Sequence, residues 1–452
     1  MTPDDALEQI CAAAGTRRSA DAITAAIARL VTTGVLDPGR RLPTVRTMAK
    51  ALAVSPTTVS DAWQALVASG VIETRGRLGS YVRDPASARV GERFWQIYPA
   101  DADPGGLDLS EGVPDPELLP PITPALDHLR EPTAPTSYLD DPVVPALEEH
   151  LRATWPFVPE SMTVVDGALD ALDRICSVVV RPGTTVVVET PGFPPLFDLL
   201  ALARADVVGV PVDDEGMLPD ELAAALGASV SAVFCQPRAH NPTGASMTDE
   251  RAERLAGALA DSEALIVEDD HSGIVGGTQL SSLGRWLPQR TLHIRSFSKS
   301  HGPDLRLAAI GGAGVPIAAL VHRRQLGPAW SSRLLQTVLL AMLDDTETQR
   351  RVDDARSTYE QRRRAVTDEL AAAGVDYTAG SGINVWVEVA DERAALVDLA
   401  ARGIGVAPGR PFVWDREETG HIRVTTGVIR ERHREIGQTI AEAAGRRRFG
   451  RT

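Results

Sequence analysis

The chain has 452 residues, enough for about three domains of roughly 150 residues each. Hydrophobic residues make up 43% and charged residues 24%, an ordinary globular composition, and no apolar run approaches the roughly 20 residues of a membrane span. The net charge of −15 excludes a protein that coats nucleic acid generally, yet residues 15–83 carry ten Lys/Arg against four acids, a local +6 that leaves −21 for the rest. A small basic module on an acidic body predicts a local phosphate-binding task for the N-terminal region. The acidic start Met1-Thr2-Pro3-Asp4-Asp5 lacks a signal-peptide pattern, and Cys11, Cys176 and Cys235 lie far apart without metal-ligand spacing. Reduced thiols and a cytoplasmic location are expected.

Along residues 15–83 the elements are closely signalled. Ala20–Thr33 reads as an amphipathic helix with Ile23, Ile27, Leu30 and Val31 at helical spacing, and Gly34 stops it. Thr44 caps a second helix whose apolar face is Val45, Met48, Ala49 and Leu52. Ser55-Pro56 opens a third, with serine at the cap, proline at the first helical position and Val59, Ala62, Trp63, Leu66 and Val67 on its buried face. Val71–Thr74 and Leu78–Val82 then read as two strands joined at Arg75-Gly76-Arg77. The order is that of a winged helix-turn-helix.

Residues 34–82 resemble the GntR-type DNA-binding head along their whole length. The resemblance implies double-stranded promoter DNA as a partner. Its contacts would be Thr44 and Arg46 at the second helix, Ser55, Thr57 and Thr58 at the start of the recognition helix, and Arg75, Arg77 and Gly79 at the wing. The family commonly has arginine after the serine at position 55; here Pro56 removes one contact.

Residues 84–106 carry Pro85, Pro99, Pro104 and Gly105-Gly106 and read as a linker. Phe94, Trp95 and Tyr98 within it are expected to pin part of it against a domain surface.

The body, residues 107–452, alternates apolar runs with helical segments. The candidate strands are Thr163–Val165, Thr185–Glu189, Val207–Val212, Ser231–Cys235, Ala264–Glu268, Leu292–Arg295 and Ala308–Gly312. They predict an α/β fold with a mainly parallel, seven-stranded sheet covered on both faces. Ligands bind such sheets at the carboxyl ends of strands, and Gly167, Phe193, Asn241, Asp269 and Lys299 all follow predicted strands.

Only two lysines occur, Lys50 and Lys299, although Lys and Arg together number 46. An amine can lose its proton and attack a carbonyl, whereas a guanidinium stays protonated. Scarcity alone leaves Lys299 either a Schiff-base lysine, whose common cofactor is pyridoxal phosphate (PLP), or a leftover surface residue. The neighbouring hydroxyls of Ser296, Ser298 and Ser300, with Arg306 seven residues on, suit a phosphate monoester and favour the first reading.

The motifs NPTG at Asn241–Gly244, VEDD at Val267–Asp270 and SFSKS at Ser296–Ser300 followed by Arg306 resemble fold-type I PLP proteins, the aspartate-aminotransferase superfamily. Spacings of 28 residues from Asn241 to Asp269 and 30 from Asp269 to Lys299 support the match. The resemblance implies a smaller C-terminal α/β subdomain from about residue 315. It implies that Lys299 holds PLP as a Schiff base, Asp269 pairs with the ring nitrogen, Asn241 bonds the ring hydroxyl and Phe193 stacks on the ring. Gly167 and Ala168, aided by Ser296, Ser298 and Arg306, would bind the phosphate. Arg423 would grip an amino acid's carboxylate, and Tyr138 would reach the cofactor of a second subunit, which implies a homodimer. Outside the resemblance, Asp269 could cap a helix, Arg423 could form a surface ion pair and Tyr138 could simply pack. Three departures stand out: His271 replaces a tyrosine that bonds the ring oxygen, Asp166 replaces a small polar residue beside the phosphate, and Leu169 replaces a glutamine.

A GntR-type head joined to an aminotransferase-like body is the layout of the MocR family of bacterial regulators, which the chain resembles. The expected function is PLP-dependent transcription regulation with a small amine, an amino acid or PLP as effector. The alternatives are an active aminotransferase with an accessory head, and a regulator whose body has lost PLP and only dimerises.

Overall fold

The structure, a computed structural model, describes residues 3–14, 18–37, 39–68, 71–74, 79–82, 91–98, 106–130, 137–227, 230–414 and 420–445. It divides into two compact units, Met1–Glu92 and Arg93–Thr452.

In the first unit, α1 (Pro3–Ala14), α2 (Ala20–Thr32), α3 (Val45–Leu52) and α4 (Pro56–Ala68) enclose one apolar core. Helix α1 is absent from the predicted elements. Its buried positions Ala6, Ile10 and Ala14 repeat every four residues, and the two alanines make a faint stripe. Thr44 caps α3 by accepting from the Thr47 amide at 3.2 Å, and Ser55 caps α4 by accepting from the Thr58 amide at 3.0 Å. Ala53, in the left-handed region at φ 52°, makes the turn between them. The wing is the antiparallel pair β1 (Ile72–Thr74) and β2 (Ser80–Val82), with Ile72 opposite Val82. Residues 40–42 line the other edge of β2: Val82 N donates to Arg40 O and Leu42 N to Ser80 O, both at 2.8 Å.

The second unit holds two sheets. The large sheet comprises β4 (Ser161–Val165), β5 (Thr185–Thr190), β6 (Asp206–Asp213), β7 (Gly216–Met217), β8 (Val230–Cys235), β9 (Leu265–Asp270), β10 (Thr291–Ser296) and β11 (Ala308–Gly312), in spatial order β4-β11-β10-β9-β8-β5-β6-β7. Its five central strands, β10 to β6, run parallel, and β11 is antiparallel to both neighbours. All seven expected strands are present. The eighth, β7, is a two-residue return too short to show alternation in sequence. Buried clusters lie on both faces, as the unbroken apolar runs of β5, β8 and β9 require.

The small sheet has the order β12 (Tyr377–Thr378), β13 (Asn384–Glu388), β15 (His421–Thr425), β14 (Ile404–Pro408) and β3 (Leu107–Leu109). Its edge strand β3 comes from the start of the body and pairs parallel with β14, so the C-terminal layer is completed by residues far outside the range expected for it. Nearby, buried Asp115 accepts from both Arg362 and Arg430 and ties this N-terminal stretch to the C-terminal layer.

Within the linker range, Glu92–Gln96 is a short helix. Tyr98 packs against the cluster of Ile97, Trp386 and Phe412, and Arg93 adds to the docking: its Nη1 donates to Pro411 O and Val413 O, and its guanidinium lies over Phe197 and Trp414 at 5.3 and 5.0 Å. The amides of Arg93 and Phe94 both donate to Asp198, and Ile97 is buried against Trp386 and Phe412. Trp95 stays half exposed.

Candidate cofactor and DNA-binding sites

The body site lies at the carboxyl ends of β4, β5, β8, β9 and β10. Gly167 precedes the helix Ala168–Val179 with φ 102°, and a Cβ there would stand 3.3 Å from Arg306 Nη2. Glycine therefore lets the guanidinium and the helix N-terminus converge, an arrangement that suits a phosphate. Arg306, at φ 48°, also donates to Asp166 O at 3.1 Å. Asp166, which stands where the resemblance has a small polar residue, has its Oδ2 3.5 Å from buried Arg324. Ser296 is buried and its Oγ accepts from the Ser298 amide at 3.4 Å.

At the end of β9, Asp269 is buried. Its Oδ2 accepts from Gln236 Nε2 at 2.9 Å, while Oδ1 has no hydrogen-bond partner among the described residues. Burial pushes this carboxyl up to about 6, against the opposing pull of Gln236 and Lys299. Burial likewise pushes the Lys299 amine down to about 8, although Asp269 pulls it back. Lys299 Nζ lies 2.8 Å from His271 Nδ1. A neighbouring cavity of about 570 Å³ is lined by Ser296, Ser300 and His301 with Arg238 and Arg295, but neither Lys299 nor Asp269 lines it.

Arg423, on β15, is buried, and burial lowers its guanidinium to about 10. Nη1 donates to Asn241 Oδ1 at 3.1 Å, Nη2 donates to Ser110 O, and Nε has no partner among the described residues. The guanidinium lies over the Phe412 ring at 5.0 Å, and a Cβ on Gly112 would come within 3.3 Å of it. Tyr138 stands apart. It is 86% exposed, with its ring stacked on Trp330.

Gln236 is the residue that sequence reasoning missed. Its amide donates to Glu189 at 2.8 Å, its Nε2 donates to Asp269, and its Oε1 accepts from the Asn241 amide at 2.7 Å. One side chain thus orients both Asp269 and Asn241. Its position just beyond β8, at a strand's carboxyl end, was the available signal. Below it, Asp270 takes a bidentate pair from Arg238 at 2.7–2.8 Å, and Glu268 accepts from His293 at 2.8 Å.

In the N-terminal unit, Thr44, Arg46, Ser55 and Thr57 are exposed and Thr58 and Gly79 half-buried. Two of the expected DNA contacts have structural duties as well. The Thr44 and Ser55 hydroxyls cap helices, and Ser55 Oγ also lies 2.8 Å from Thr58 Oγ1. Arg75 and Arg77 lie outside the described residues.

Residues 104–440 match the family Aminotransferase class I and II, and residues 19–82 match Bacterial regulatory proteins, gntR family. Over 423 residues the chain is 31% identical to the vitamin B6 salvage pathway transcriptional repressor PtsJ of Salmonella typhimurium, covering 92% of this chain and 95% of that one. The chain belongs to the MocR family. Among other MocR-type relatives, it is 28% identical to the HTH-type transcriptional regulator TauR of Rhodobacter capsulatus, covering 85% and 88% of the two chains. The body shares its fold with LysN, the α-aminoadipate aminotransferase of Thermus thermophilus, at TM-score 0.68 and 22% identity over 75% of this chain and 92% of that one.

This MocR body fits PLP, the cofactor that its family and fold indicate. Asp269 Oδ1, without a partner among the described residues, is a buried acceptor that a protonated ring nitrogen would fit, and the Gly167–Arg306 cradle suits the phosphate. The GntR unit carries DNA binding. Among the described residues no helix is long and apolar enough to cross a membrane.

Proposed function

We propose that this MocR protein regulates transcription by binding double-stranded promoter DNA through its N-terminal unit and PLP through its body, with a small amine, an amino acid or PLP itself as effector. The observation that carries this reading is buried Asp269, one of whose oxygens has no partner among the described residues, together with half-buried Lys299, whose amine is lowered to about 8. When bound, PLP supplies an electron-withdrawing ring and a carbonyl carbon that combines with amines.

The chain's residues have separable tasks in this reading. Lys299, its amine lowered to about 8, offers a neutral amine more readily than an ordinary lysine and so can serve as the covalent attachment point. Asp269 keeps a ring nitrogen protonated, and Gln236 holds that carboxylate in place. Phe193 covers the ring. Gly167, Ala168, Ser296, Ser298 and Arg306 take the phosphate. Arg423 pairs with a ligand carboxylate, a task for which its buried Nε and fixed Phe412 platform suit it. The exposed Tyr138 and Leu139, 86% and 81% accessible, support a homodimer in which this stretch reaches a second subunit. A DNA-binding role supports a cytoplasmic location.

The test is anisotropy of a labelled promoter fragment with full-length protein, with and without PLP and across a panel of L-amino acids. A change of about fivefold or more in DNA affinity with PLP or one amino acid is expected. Identical affinity throughout would refute the reading. A second reading, an active aminotransferase, draws on the retained Arg423. Turnover of an amino acid with a 2-oxo acid as acceptor separates the two.

A further inference from the structure

His271 occupies the position where the fold-type I resemblance places a tyrosine, and its surroundings fix how it can hydrogen-bond. Nε2 lies 3.0 Å from the carbonyl oxygen of Ala239. A carbonyl only accepts, so Nε2 bears the hydrogen. A neutral imidazole has one such hydrogen, and Nδ1 therefore presents a lone pair. Two donors are gathered round it, Lys299 Nζ at 2.8 Å and Ser272 Oγ at 3.2 Å. Burial first, and the Lys299 charge second, hold the imidazole well below its ordinary pKa; Asp270 pulls the other way and His240 adds to the lowering. The ring is thus neutral in the physiological range.

The carbonyl that sets this tautomer is itself held in place. Ala239 has φ 47°, a left-handed conformation that is unfavourable for a residue with a Cβ. Its amide donates to Ser246 Oγ at 3.0 Å. Its Cβ fits because Gly382 and Gly276 face it: a Cβ on Gly382 would come within 2.8 Å of the Ala239 Cβ, and one on Gly276 within 3.4 Å. Three small residues and a strained turn thus aim one carbonyl at one ring nitrogen.

We propose that the Ala239 carbonyl locks His271 as a hydrogen-bond acceptor, so that this corner of the pocket selects a protonated partner. In the empty protein that partner is the Lys299 amine; in the loaded protein it is the PLP ring hydroxyl in its protonated form. This rests on the reading of the pocket as a PLP site. A tyrosine at the same position can donate to a ring oxide, so the polarity of the contact is reversed. Asn241 is compatible with the reversal. Its Oδ1 is occupied by Arg423, which leaves the amide nitrogen to face the cofactor. A hydroxyl can accept from Asn241 and donate to His271 at once, whereas an oxide can only accept.

The test has two arms. The first is ¹⁵N NMR of histidine-labelled, PLP-free, full-length protein, with His271→Gln to assign the signal. The Nε2–H tautomer, without imidazolium across the neutral range, is expected; an Nδ1–H tautomer or an imidazolium overturns the lock. The second is the absorbance of PLP-loaded wild type, His271→Tyr and His271→Phe. The tyrosine variant should raise the visible ring-oxide band relative to the ultraviolet ring-hydroxyl band by about tenfold, the scale of one hydrogen bond, with phenylalanine between. Equal band ratios in wild type and His271→Tyr overturn the proposal. If no form takes up PLP, the cofactor reading fails instead, and the tautomer of the empty protein still decides whether the lock exists.

Discussion

The two units set out their functional side chains in opposite ways. In the N-terminal unit Thr44, Arg46, Ser55 and Thr57 are exposed, each answering to a helix end or to solvent. In the body Asn241, Asp269, His271 and Arg423 are buried, each joined to another functional group or its support. Exposed groups act singly on a partner that comes to them, so their contributions are modest and screened by salt. Buried groups depend on one another, and an unmet atom among them calls for an explanation, of which a ligand is one.

The sharpest way to break this comparison is Lys299→Ala. Borohydride reduction of PLP-treated protein followed by peptide mapping should label Lys299 in wild type and nothing in the variant; a label on Lys50, exposed in α3, would remove the body site from the account. Next comes Asp269→Ala. Loss of a buried ionic partner costs about 3–5 kcal/mol, so PLP affinity measured by equilibrium dialysis should fall by a hundredfold or more while circular dichroism stays unchanged. Unchanged affinity would show that the ring nitrogen faces another group.

Glu189 tests whether buried charge in the body is coupled to folding. Burial first, with Asp269 adding, raises its carboxyl from 4.5 to about 8. The folded state therefore binds a proton that the unfolded state releases between these values. Stability from this group is fully present below pH 4.5 and declines as pH rises through about 8. Glu189→Gln should flatten that decline in urea titrations, and parallel pH profiles would mean the carboxyl is not held neutral. In the N-terminal unit the effects should be smaller. Arg46→Ala should weaken promoter binding by about 1–2 kcal/mol and reduce the salt slope by about one. Ser55→Ala should cost about 1 kcal/mol in the melting of the N-terminal unit through loss of the α4 cap. A large collapse of either would mean that the surface groups are as interdependent as the buried ones.

Much of this contrast was legible in sequence. The strands of the large sheet are continuous apolar runs, and NPTG, VEDD and SFSKS stand at their carboxyl ends. The helices of the N-terminal unit announce themselves through Thr44, Ser55-Pro56 and their apolar stripes. What escaped was long-range or faint. Helix α1 hides behind alanines, which carry little hydrophobic signal. Strand β3 finds its partner about 300 residues away, and no local pattern records that. Gln236 looks like any polar residue until the fold brings Glu189, Asp269 and Asn241 to it. The Ala239 turn is invisible because alanine rarely signals a left-handed conformation.

The unpartnered Oδ1 of Asp269 has a consequence for the empty protein. A buried acceptor without a donor costs about 1–3 kcal/mol, a noticeable part of the margin by which a domain stays folded. A cofactor that met it would stabilise the fold by mass action, by about 2.7 kcal/mol when present at a hundred times its dissociation constant. A chain short of cofactor opens more often and is exposed to proteolysis for longer. Cofactor supply is then expected to lengthen the survival of each copy against proteolysis.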